Sequence, residues 1–406
     1  MIPHRVVVTG LGVVSGAGST VERFWQNVTG GSSGAATITA VDPAMLGRTM
    51  AVEVPDGELG PLGALASSSM DRFAMFAMLA GAQAVTSAQL PDDVPWGERS
   101  AACTGTSVGG QSTQDRSFKE LYGKATARVH PLTLPRAMSN AGAAHLSIRY
   151  GITGPTLTFA TACAASNYAI GHAFWMLRMG VIDRAIAGGS EAPFSYGNLK
   201  AWEALHALDP RSCRPFSADR GGTILGEGAG MLVLETLEAA QQRNASIHAE
   251  IVGFGMTSDA HHLTQPSSDG AARAMRAALA DASLPPSEIG YINAHGTGTH
   301  ANDKSEAEAI RSVFGAASHV PAVSSTKAVH GHGQGATGGF EAIATILALR
   351  DSCLPPTANV LGAAADCPID LIVGAARRTS AHSALSNTFA FGGMNAVLAF
   401  SRWNRQ

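Results

Sequence analysis

Short apolar runs alternate along the whole chain with longer stretches in which apolar residues recur at helical spacing. The strand-like runs begin at residues 5–9 and return at 156–160, 185–187, 230–234 and 249–252. Strands buried by helices on both faces produce this alternation, because neither face then needs polar residues. The pattern predicts an α/β protein with largely buried sheets.

The composition is that of a globular chain. Hydrophobic residues make up 45% and charged residues 15% of the 406 positions, and the formal net charge is -3. Binding to phosphate backbones needs concentrated Lys and Arg, which this sequence lacks. The longest apolar stretch, Phe73–Val85, is shorter than the about 20 residues that span a bilayer. We therefore expect no nucleic-acid partner and no membrane span.

Cysteine usage and the first residues favour the cytoplasm. The five cysteines are scattered and odd in number, which fits a reducing compartment better than a disulfide framework. The N-terminus leads straight into an apolar strand and lacks the basic region and cleavage site of a signal peptide. We expect a cytoplasmic protein with a free thiol available for chemistry.

Cys163 lies where a strand turns into a helix within residues 154–172. Small residues follow the strand, and Ile170, Phe174 and Leu177 then recur at helical spacing. A helix N-terminus favours a thiolate, lowers the pKa of a cysteine and offers free N–H groups for an oxyanion hole. The alternative is that Cys163 is one more small buried residue in a close-packed turn.

A second strand ends at His295, in a loop of glycine and threonine before another helix. A histidine in this position can donate a hydrogen bond to a substrate carbonyl, because the glycines let a substrate approach the backbone. Asp303 and Glu306 have the three-residue offset of a capping box at the helix start. A direct catalytic part is the alternative for these two acids.

A third strand leads into a glycine-rich loop that carries His330 and His332. A zinc or iron site would need further acidic or cysteine ligands at ordered offsets, and only Glu341 is near. The glycines also suggest a phosphate cradle, but Lys327 precedes them and the spacing is not that of a Walker motif. We expect no metal here.

A glycine motif at residues 8–16 follows the first strand and resembles a dinucleotide fingerprint. Its third glycine is out of place, and no acidic residue stands where a ribose partner would be. We therefore predict no nicotinamide cofactor.

Taken together, these motifs resemble the β-ketoacyl-acyl-carrier-protein synthase family, in its elongating, type II branch. The likeness runs from the first strand to the last. It is carried by Thr161–Cys163, Asn293–Thr299, Ser325–Lys327 with Gly331–His332, and Ser386–Asn387 with Phe391–Asn395. Within the family, Ser69–Phe73, Leu199–Leu205 and Cys213–Arg220 are similar to the nodulation protein E group and its relatives in secondary metabolism.

The resemblance implies a thiolase-like fold of two related halves with layered α-β-α-β-α architecture. We place the halves at residues 1–245, with the nucleophile, and 246–406, with the two histidines. It also implies a homodimer, or a heterodimer with a related ketosynthase or chain-length-factor subunit. Acyl carrier protein would be the other partner, because its phosphopantetheine carries both substrates, and no cofactor would be bound.

The resemblance also assigns the central roles. Cys163 would take the acyl chain from the carrier. His295 and His332 would hold the thioester carbonyl of a malonyl extender, favour decarboxylation and stabilise the enolate that attacks the acyl group.

Further residues receive supporting roles by the same resemblance. Lys327 and Glu341 would support the histidine pair, and Thr297 and Thr299 would touch the pantetheine arm. Phe391 would be a gating aromatic whose backbone N–H shares the oxyanion hole with that of Cys163.

The expected acyl tunnel departs from that of housekeeping fatty-acid enzymes. Thr133 stands in a segment where those enzymes tend to carry adjacent aromatics that reach across the dimer interface, and Thr223 also replaces a common aromatic. Trp202 supplies a larger ring, Met394 replaces a usual threonine, and Val108 completes the expected lining. A hydroxyl in place of a ring removes apolar contact worth roughly 1 to 3 kcal/mol. We hypothesise that the substrate is an unsaturated or partly reduced chain of a specialised pathway; the alternative is an ordinary elongating synthase.

Three other functions fit this sequence less well. A chain-length factor that does not condense would generally lack the nucleophile, which is present. A thiolase would need a second acid/base cysteine, and none occurs near Phe391. A starter-unit synthase with a Cys-His-Asn set is disfavoured by His332.

Overall fold

The computed structural model describes residues 3–59, 69–123, 128–315 and 320–404. The strands are β1 (Val6–Ser15), β2 (Ala36–Thr37), β3 (Met50–Val52), β4 (Ser100–Gly105), β5 (Thr156–Phe159), β6 (Arg184–Glu191), β7 (Leu225–Gly226), β8 (Gly228–Thr236), β9 (Ala249–Ser258), β10 (Ile289–Asn293), β11 (Ala322–Ser324), β12 (Cys353–Leu354), β13 (Asp370–Leu371), β14 (Arg377–Arg378), β15 (Ser383–Phe389) and β16 (Met394–Arg402). All five strand-like runs of the sequence lie in or overlap strands of this set.

Helices separate most of the strands. The α-helices are α1 (Val21–Gly30), α2 (Arg72–Ser87), α3 (Gln111–Gly123), α4 (Thr133–Ala137), α5 (Ala141–Tyr150), α6 (Ala165–Arg178), α7 (Tyr196–Ala204), α8 (Leu237–Gln242), α9 (Ser268–Ala282), α10 (His300–Phe314), α11 (Lys327–His330) and α12 (Thr337–Arg350). Short 3-10 turns lie at Pro43–Met45, Asp56–Leu59, Ala162–Ala164, Pro286–Glu288 and Gln334–Ala336.

The main sheet contains the same five-stranded arrangement twice. In the first half the order is β1-β8-β6-β4-β5, and in the second it is β9-β16-β15-β10-β11, with β13 added at the edge. If the five strands of each half are numbered 1 to 5 in chain order, the strand order across the sheet is 1-5-4-2-3 in both halves. The parallel and antiparallel pairings are also the same. Pairing of Val6–Val8 with Ala249–Ile251 joins them. The expected two related halves are confirmed, while their boundary at residues 245 and 246 stays a prediction.

Helices form three layers around the two halves of the sheet. Helices α6 and α12 pack between them, and every residue from Thr337 to Leu349 of α12 is buried. Helices α2 and α5 cover the outer face of the first half, and α9 and α10 cover the second. This is the expected α-β-α-β-α layering, and it brings the N-terminal ends of α6 and α12 together near the centre.

The glycine motif near the N-terminus serves helix packing. It lies within β1 and does not form a loop between a strand and a helix. A Cβ at Gly10 would be 2.1 Å from the Ala84 carbonyl oxygen, and one at Gly12 would be 1.9 Å from that of Ala80. These glycines therefore let α2 lie directly on the strand.

Across the described ranges, helices that combine the length and apolarity needed to cross a bilayer are absent. All five cysteines are free thiols.

Candidate active site

Cys163 occupies a strained turn between β5 and α6. The preceding Ala162 has φ +47°, a conformation that costs energy for any residue with a side chain. Cys163 follows in the 3-10 turn and is 5% exposed. Among the described residues, no backbone carbonyl accepts from the N–H of Cys163 or of Phe391, so both can donate to an oxyanion.

The electrostatic setting of Cys163 differs from the expected one. We predicted a lowered pKa from the helix N-terminus. Burial instead raises the pKa of the Cys163 thiol to about 12, although the charge on Lys327 acts in the opposite direction. Desolvation of the sulfur outweighs the attraction. Cys163 is therefore a thiol at neutral pH, and its proton must leave as it attacks.

His295 lies in a loop whose backbone N–H groups are hydrogen-bonded to two buried acids. The backbone N–H groups of His295 and Gly296 donate to Glu306 at 2.8 and 2.7 Å, and Gly298 N–H donates to Asp303 at 3.1 Å. The capping-box interpretation of these acids is wrong, because the N-cap of α10 is Thr299, which accepts from Asn302 N–H. Asp303 and Glu306 instead fix the loop that presents His295.

Burial of these two carboxylates is itself electrostatically unfavourable. Burial raises the pKa of Asp303 to about 6 and also raises that of Glu306, against the hydrogen bonds that they accept. Asn387 donates to Glu306 at 3.2 Å, and Phe216 N–H donates to Asp303 at 2.7 Å. These donors satisfy carboxylates that would be expensive to bury unpaired.

His332 is fixed by its neighbours in the third motif. Its backbone N–H donates to Ile224 at 2.6 Å. The Nδ1 atom accepts from Gln334 N–H at 3.1 Å and lies 3.1 Å from the Thr337 hydroxyl. Because Nδ1 accepts, the proton of the neutral ring is on Nε2.

Lys327 and Glu341 form a fully buried ion pair behind His295. Lys327 Nζ donates to Glu341 and to the His295 carbonyl oxygen, and it lies 3.2 Å from His295 Nδ1. An ammonium group has no lone pair, so His295 Nδ1 must accept and Nε2 must carry the proton. Burial raises the pKa of Glu341, and the charge and hydrogen bond of Lys327 oppose that rise.

Cys163, His295 and His332 converge on one point. One donor atom from each, the Sγ of the cysteine and a ring nitrogen of each histidine, lies within 4.8 Å of the others. The two imidazole rings are 5.6 Å apart and nearly perpendicular. Burial, and then the nearby Lys327 charge, lower the pKa of both histidines well below 6.5, so both rings are neutral.

The three donor atoms are close enough together to bind one metal ion, but the groups around the two histidines do not favour metal binding. A metal-bound histidine usually donates its other N–H to an acceptor. Here the other nitrogen of His295 faces the Lys327 ammonium, and that of His332 faces the Gln334 N–H. Both contacts come from donors. These surroundings support the prediction that no metal is bound, which remains a prediction.

His330 lies outside the site. It is fully buried beside Phe24 and Phe340, with Nε2 at 3.0 Å from the Thr326 hydroxyl. The glycines after it pack α12 against the sheet and α6. A Cβ at Gly338 would be 2.4 Å from the Asn167 side chain, and one at Gly339 would be 2.4 Å from the Gly230 carbonyl. The loop therefore provides close packing, as in β1.

A cavity opens onto the trio. The predicted substrate-binding residues in its wall are Trp202, Thr223, Thr297 and Thr299, and the predicted gating aromatic Phe391 lines it as well. The Trp202 ring lies 6.2 Å from that of His332 and 6.0 Å from that of Phe391.

Three predicted lining residues, Val108, Thr133 and Met394, are not part of this wall. Val108 N–H lies 3.4 Å from Glu191, and Thr133 contacts Ser117 from the short helix α4. Their assignment as substrate-binding residues stays a prediction.

The turn that carries Phe391 is held by a segment that our sequence analysis did not select. Asp259 N–H donates to the Gly393 carbonyl at 2.8 Å, and Asn395 donates to the Asp259 carboxylate at 2.7 Å. Gly392 N–H donates to the Leu263 carbonyl at 2.7 Å. Residues 262–266 of the same segment line the cavity. The N–H of Phe391 is thus positioned by a second loop.

Glu191 is another functional residue that sequence reasoning missed. Fully buried at the end of β6, it accepts from Ser107 N–H at 2.5 Å and from Gly335 N–H at 2.9 Å. It therefore ties the loop after β4 to the turn after His332. A lone buried glutamate at a strand end was the available signal, but no partner is visible in the sequence.

The comparisons cover the whole chain. Sequence models described as the N-terminal and C-terminal domains of β-ketoacyl synthase match residues 4–240 and 248–361. Nodulation protein E of Rhizobium leguminosarum bv. trifolii is 41% identical over 400 residues, which cover 98% of this chain and 99% of that protein. The 3-oxoacyl-[acyl-carrier-protein] synthase 2 of Staphylococcus aureus (strain COL) is 38% identical over 407 residues, covering 98% of each.

A solved structure gives the same likeness in three dimensions. It is described as the ishigamide ketosynthase/chain length factor, and it superposes with a TM-score of 0.94 at 36% identity. The match covers 99% of this chain and 100% of that one.

Proposed function

Because this chain belongs to the β-ketoacyl synthase family, we propose that Cys163, His295 and His332 catalyse its decarboxylative Claisen condensation. The substrates are an acyl chain and a malonyl unit, both carried on the phosphopantetheine of an acyl carrier protein. The observation that carries the proposal is the convergence of one thiol and two neutral imidazoles within 4.8 Å. Two neutral donors suit an enolate, because loss of carbon dioxide supplies the carbanion without a strong base.

The first step transfers the acyl chain to Cys163. The sulfur attacks the carrier thioester, its bond to the acyl carbon forms, and the bond to the pantetheine sulfur breaks. The proton of the buried thiol ends on the released pantetheine thiol. The free N–H groups of Cys163 and Phe391 bind the oxygen that becomes negative during this attack.

The second step uses the histidines. The Nε2–H groups of His295 and His332 hold the malonyl thioester oxygen, and the bond to the carboxyl group breaks as carbon dioxide leaves. The electron pair remains as an enolate, which attacks the acyl carbon on Cys163. The carbon–sulfur bond breaks, the β-ketoacyl chain stays on the carrier, and the Cys163 thiolate regains a proton from solvent.

Lys327 and Glu341 support His295 in this scheme. The Lys327 charge keeps His295 neutral, and the contact with Nδ1 fixes the tautomer that donates from Nε2. Glu341 compensates the buried ammonium. Removal of either partner would leave an unpaired buried charge.

Thr297 and Thr299 lie where the pantetheine arm would enter, at the start of α10. Trp202 and Thr223 form another part of the same wall, near His332. We assign that part to the acyl chain. One relative named above is a 3-oxoacyl-[acyl-carrier-protein] synthase, and the solved structure is described as a ketosynthase/chain length factor, so we propose elongation of a fatty-acid or type II polyketide chain.

A second ketosynthase-like chain is the proposed partner. An exposed apolar surface near α3, α4 and β5 supports this, and its members are Phe118, Tyr122, Val129, Leu132, Leu134, Met138, Ile148 and Leu157. Strand β5 ends the sheet and pairs on one side only, with β4. An unpaired edge strand beside apolar side chains is the kind of surface that a partner covers.

The cytoplasm is the proposed location, which the five free thiols support.

The test mixes the purified protein with an acyl-loaded and a malonyl-loaded carrier protein. We expect release of carbon dioxide and a β-ketoacyl product two carbons longer than the acyl substrate. A folded protein that acylates Cys163 but yields no elongated product would contradict the proposal. A thiolase or a non-condensing chain-length factor would behave in that way toward the malonyl carrier.

A further inference from the structure

Thr223 belongs to the cavity wall, and its hydroxyl lacks a strong partner. Thr223 is 1% exposed and lines the cavity with Cys163 and His332. Within the described part of the chain, its hydroxyl contacts one side-chain group, the Cys213 sulfur, at 3.8 Å. A thiol is a weak acceptor and a weak donor.

Cys213 also has another partner. Its sulfur lies 3.5 Å from the Thr297 carbonyl oxygen, which can only accept, so the thiol proton is directed there. The Thr223 hydroxyl can then give its proton to sulfur or to a group in the cavity. An oxygen of a substrate would be the stronger acceptor.

The position of this hydroxyl is fixed by the backbone. Thr223 N–H donates to Ala207 at 2.8 Å, and its carbonyl accepts from Asp209 N–H at 2.9 Å. The next residue, Ile224, accepts the backbone N–H of His332 at 2.6 Å. Because a β-branched side chain has few χ1 rotamers, the hydroxyl has few alternative positions on this fixed backbone.

We propose that Thr223 donates a hydrogen bond to an oxygen on the acyl chain near the thioester. This inference rests on the proposed function, with the chain held on Cys163. The preferred substrate class is then the oxygen-bearing acyl thioester, of which a 3-oxoacyl chain is the simplest, over a fully saturated one. A saturated chain would cover the hydroxyl without giving it an acceptor.

The neighbouring wall is compatible with such a chain. Trp202 and Ala207 flank Thr223 in the cavity and supply apolar surface for the carbon atoms. One polar group among apolar ones is the arrangement that selects an oxygen at one position.

The test is competition between 3-oxoacyl and saturated acyl carriers of equal length for single-turnover acylation of Cys163, followed by intact-protein mass. We expect the unmodified protein to load the 3-oxoacyl chain about fivefold faster or more, which is the effect of one hydrogen bond. Thr223→Val, which keeps the shape and removes the hydroxyl, should abolish the preference. Thr223→Ser should retain it.

Thr104→Val is the matched control. Thr104 is a buried threonine of β4 that contacts Thr158 and is not part of the cavity wall. It should keep the preference of the unmodified protein. Circular dichroism checks that each variant is folded, and Thr223→Ala replaces Thr223→Val if the latter is not.

The remaining outcomes are distinct. Equal loading by the unmodified protein, or a preference that survives in Thr223→Val, would overturn the role of the hydroxyl while leaving the condensing function intact. The same holds if Thr223→Val slows malonyl decarboxylation and leaves the acyl preference unchanged. Failure of either chain to load Cys163 in the unmodified, folded protein would overturn the proposed function itself.

Discussion

A single substitution at Cys163 can remove the reactive sulfur while the turn around it keeps its shape. We expect Cys163→Ala to abolish acylation and condensation, because the nucleophile is gone. The fold should remain, since one buried atom is lost and the cost is about 1 kcal/mol. Intact-protein mass measures acylation, and thermal unfolding measures stability.

Cys103→Ala is the control for this change. Cys103 is also fully buried but lies on β4, in the core between the two halves of the sheet. This variant should condense at the parental rate. Elongation by a folded Cys163→Ala protein would contradict the nucleophile assignment.

In the proposed mechanism, the two histidines act on the extender and not on the acyl chain. We therefore expect His295→Ala and His332→Ala each to suppress carbon dioxide release from the malonyl carrier by about a hundredfold or more, the scale of one lost oxyanion donor. Acylation of Cys163 should persist in part. Carbon dioxide release and acyl loading are followed separately, and parental decarboxylation in either variant would give that histidine another role.

The two half-reactions should respond differently to pH. The pKa of Cys163 is raised to about 12, so the thiolate fraction grows about tenfold for each pH unit up to that value. The pKa of both histidines is lowered well below 6.5, so their neutral forms already dominate above pH 6.5. Acylation should therefore accelerate from pH 6.5 to 8.5 while decarboxylation by pre-acylated protein stays level.

Single-turnover measurements of each half-reaction check this split. Decarboxylation that falls steeply as pH rises would show that an imidazolium is needed, and the neutral-donor scheme would then be wrong.

The proposed reactive residues could be selected from the sequence because each lies among glycines or small residues just beyond a strand or a short helix. Cys163 and His295 follow β5 and β10, His332 follows β11 and the short helix α11, and the structure brings all three together. The pKa of Cys163 could not be read, because it depends on how much protein covers the sulfur. Glu191 and Asp259 were missed because their partners come from segments far away in the chain.

Helix α10 acts as a support for the loop in front of it. Glu306→Gln would replace an oxygen that accepts a backbone N–H by an amide that cannot, which should cost about 1 to 3 kcal/mol of stability. The displaced His295 should also lower decarboxylation more than acylation. Denaturant unfolding and the two separate assays measure these effects.

Glu308→Gln provides the comparison on the same helix. Glu308 is exposed and close in sequence, so the same chemical change should alter neither stability nor activity by a measurable amount. If the two variants had the same stability and the same activity, Glu306 would not support the His295 loop.

The sequence predicted the strands, but it did not predict that the same strand order occurs in both halves. Apolar runs revealed β1, β6, β8 and β9, because buried strands need apolar residues at consecutive positions. The same pattern found β5, although Thr156 and Leu157 of that strand are exposed at the sheet edge. The matching order of the two halves left no visible repeat, since a core tolerates any apolar set of suitable volume. The two halves could be expected only from the family resemblance.

At the scale of the whole molecule, several exposed apolar side chains of the described residues lie on or beside α3, α4 and β5. We expect the protein to have twice the mass of one chain by light scattering, because a second copy can cover α3, α4 and β5. Leu134→Asp, at a residue 70% exposed on that surface, should shift it toward the monomer. Leu361→Asp places the same charge at an exposed leucine outside the surface and should leave the mass unchanged.

A protein that is monomeric alone but dimeric when co-produced with a related chain would identify a heterodimer. A monomer under both conditions would contradict the assignment of this surface.

The seam between β1 and β9 has a consequence for how the chain reaches its native state. During synthesis the first half emerges before Val6–Val8 can pair with β9 along their second edge, and before α12, more than a hundred residues later, can cover the apolar face of α6. Contacts so distant in sequence form slowly, and exposed apolar surface invites aggregation meanwhile. Recovery of condensing activity after refolding should therefore lag behind recovery of secondary structure, and a chaperone that shields apolar surface should raise the yield of active protein.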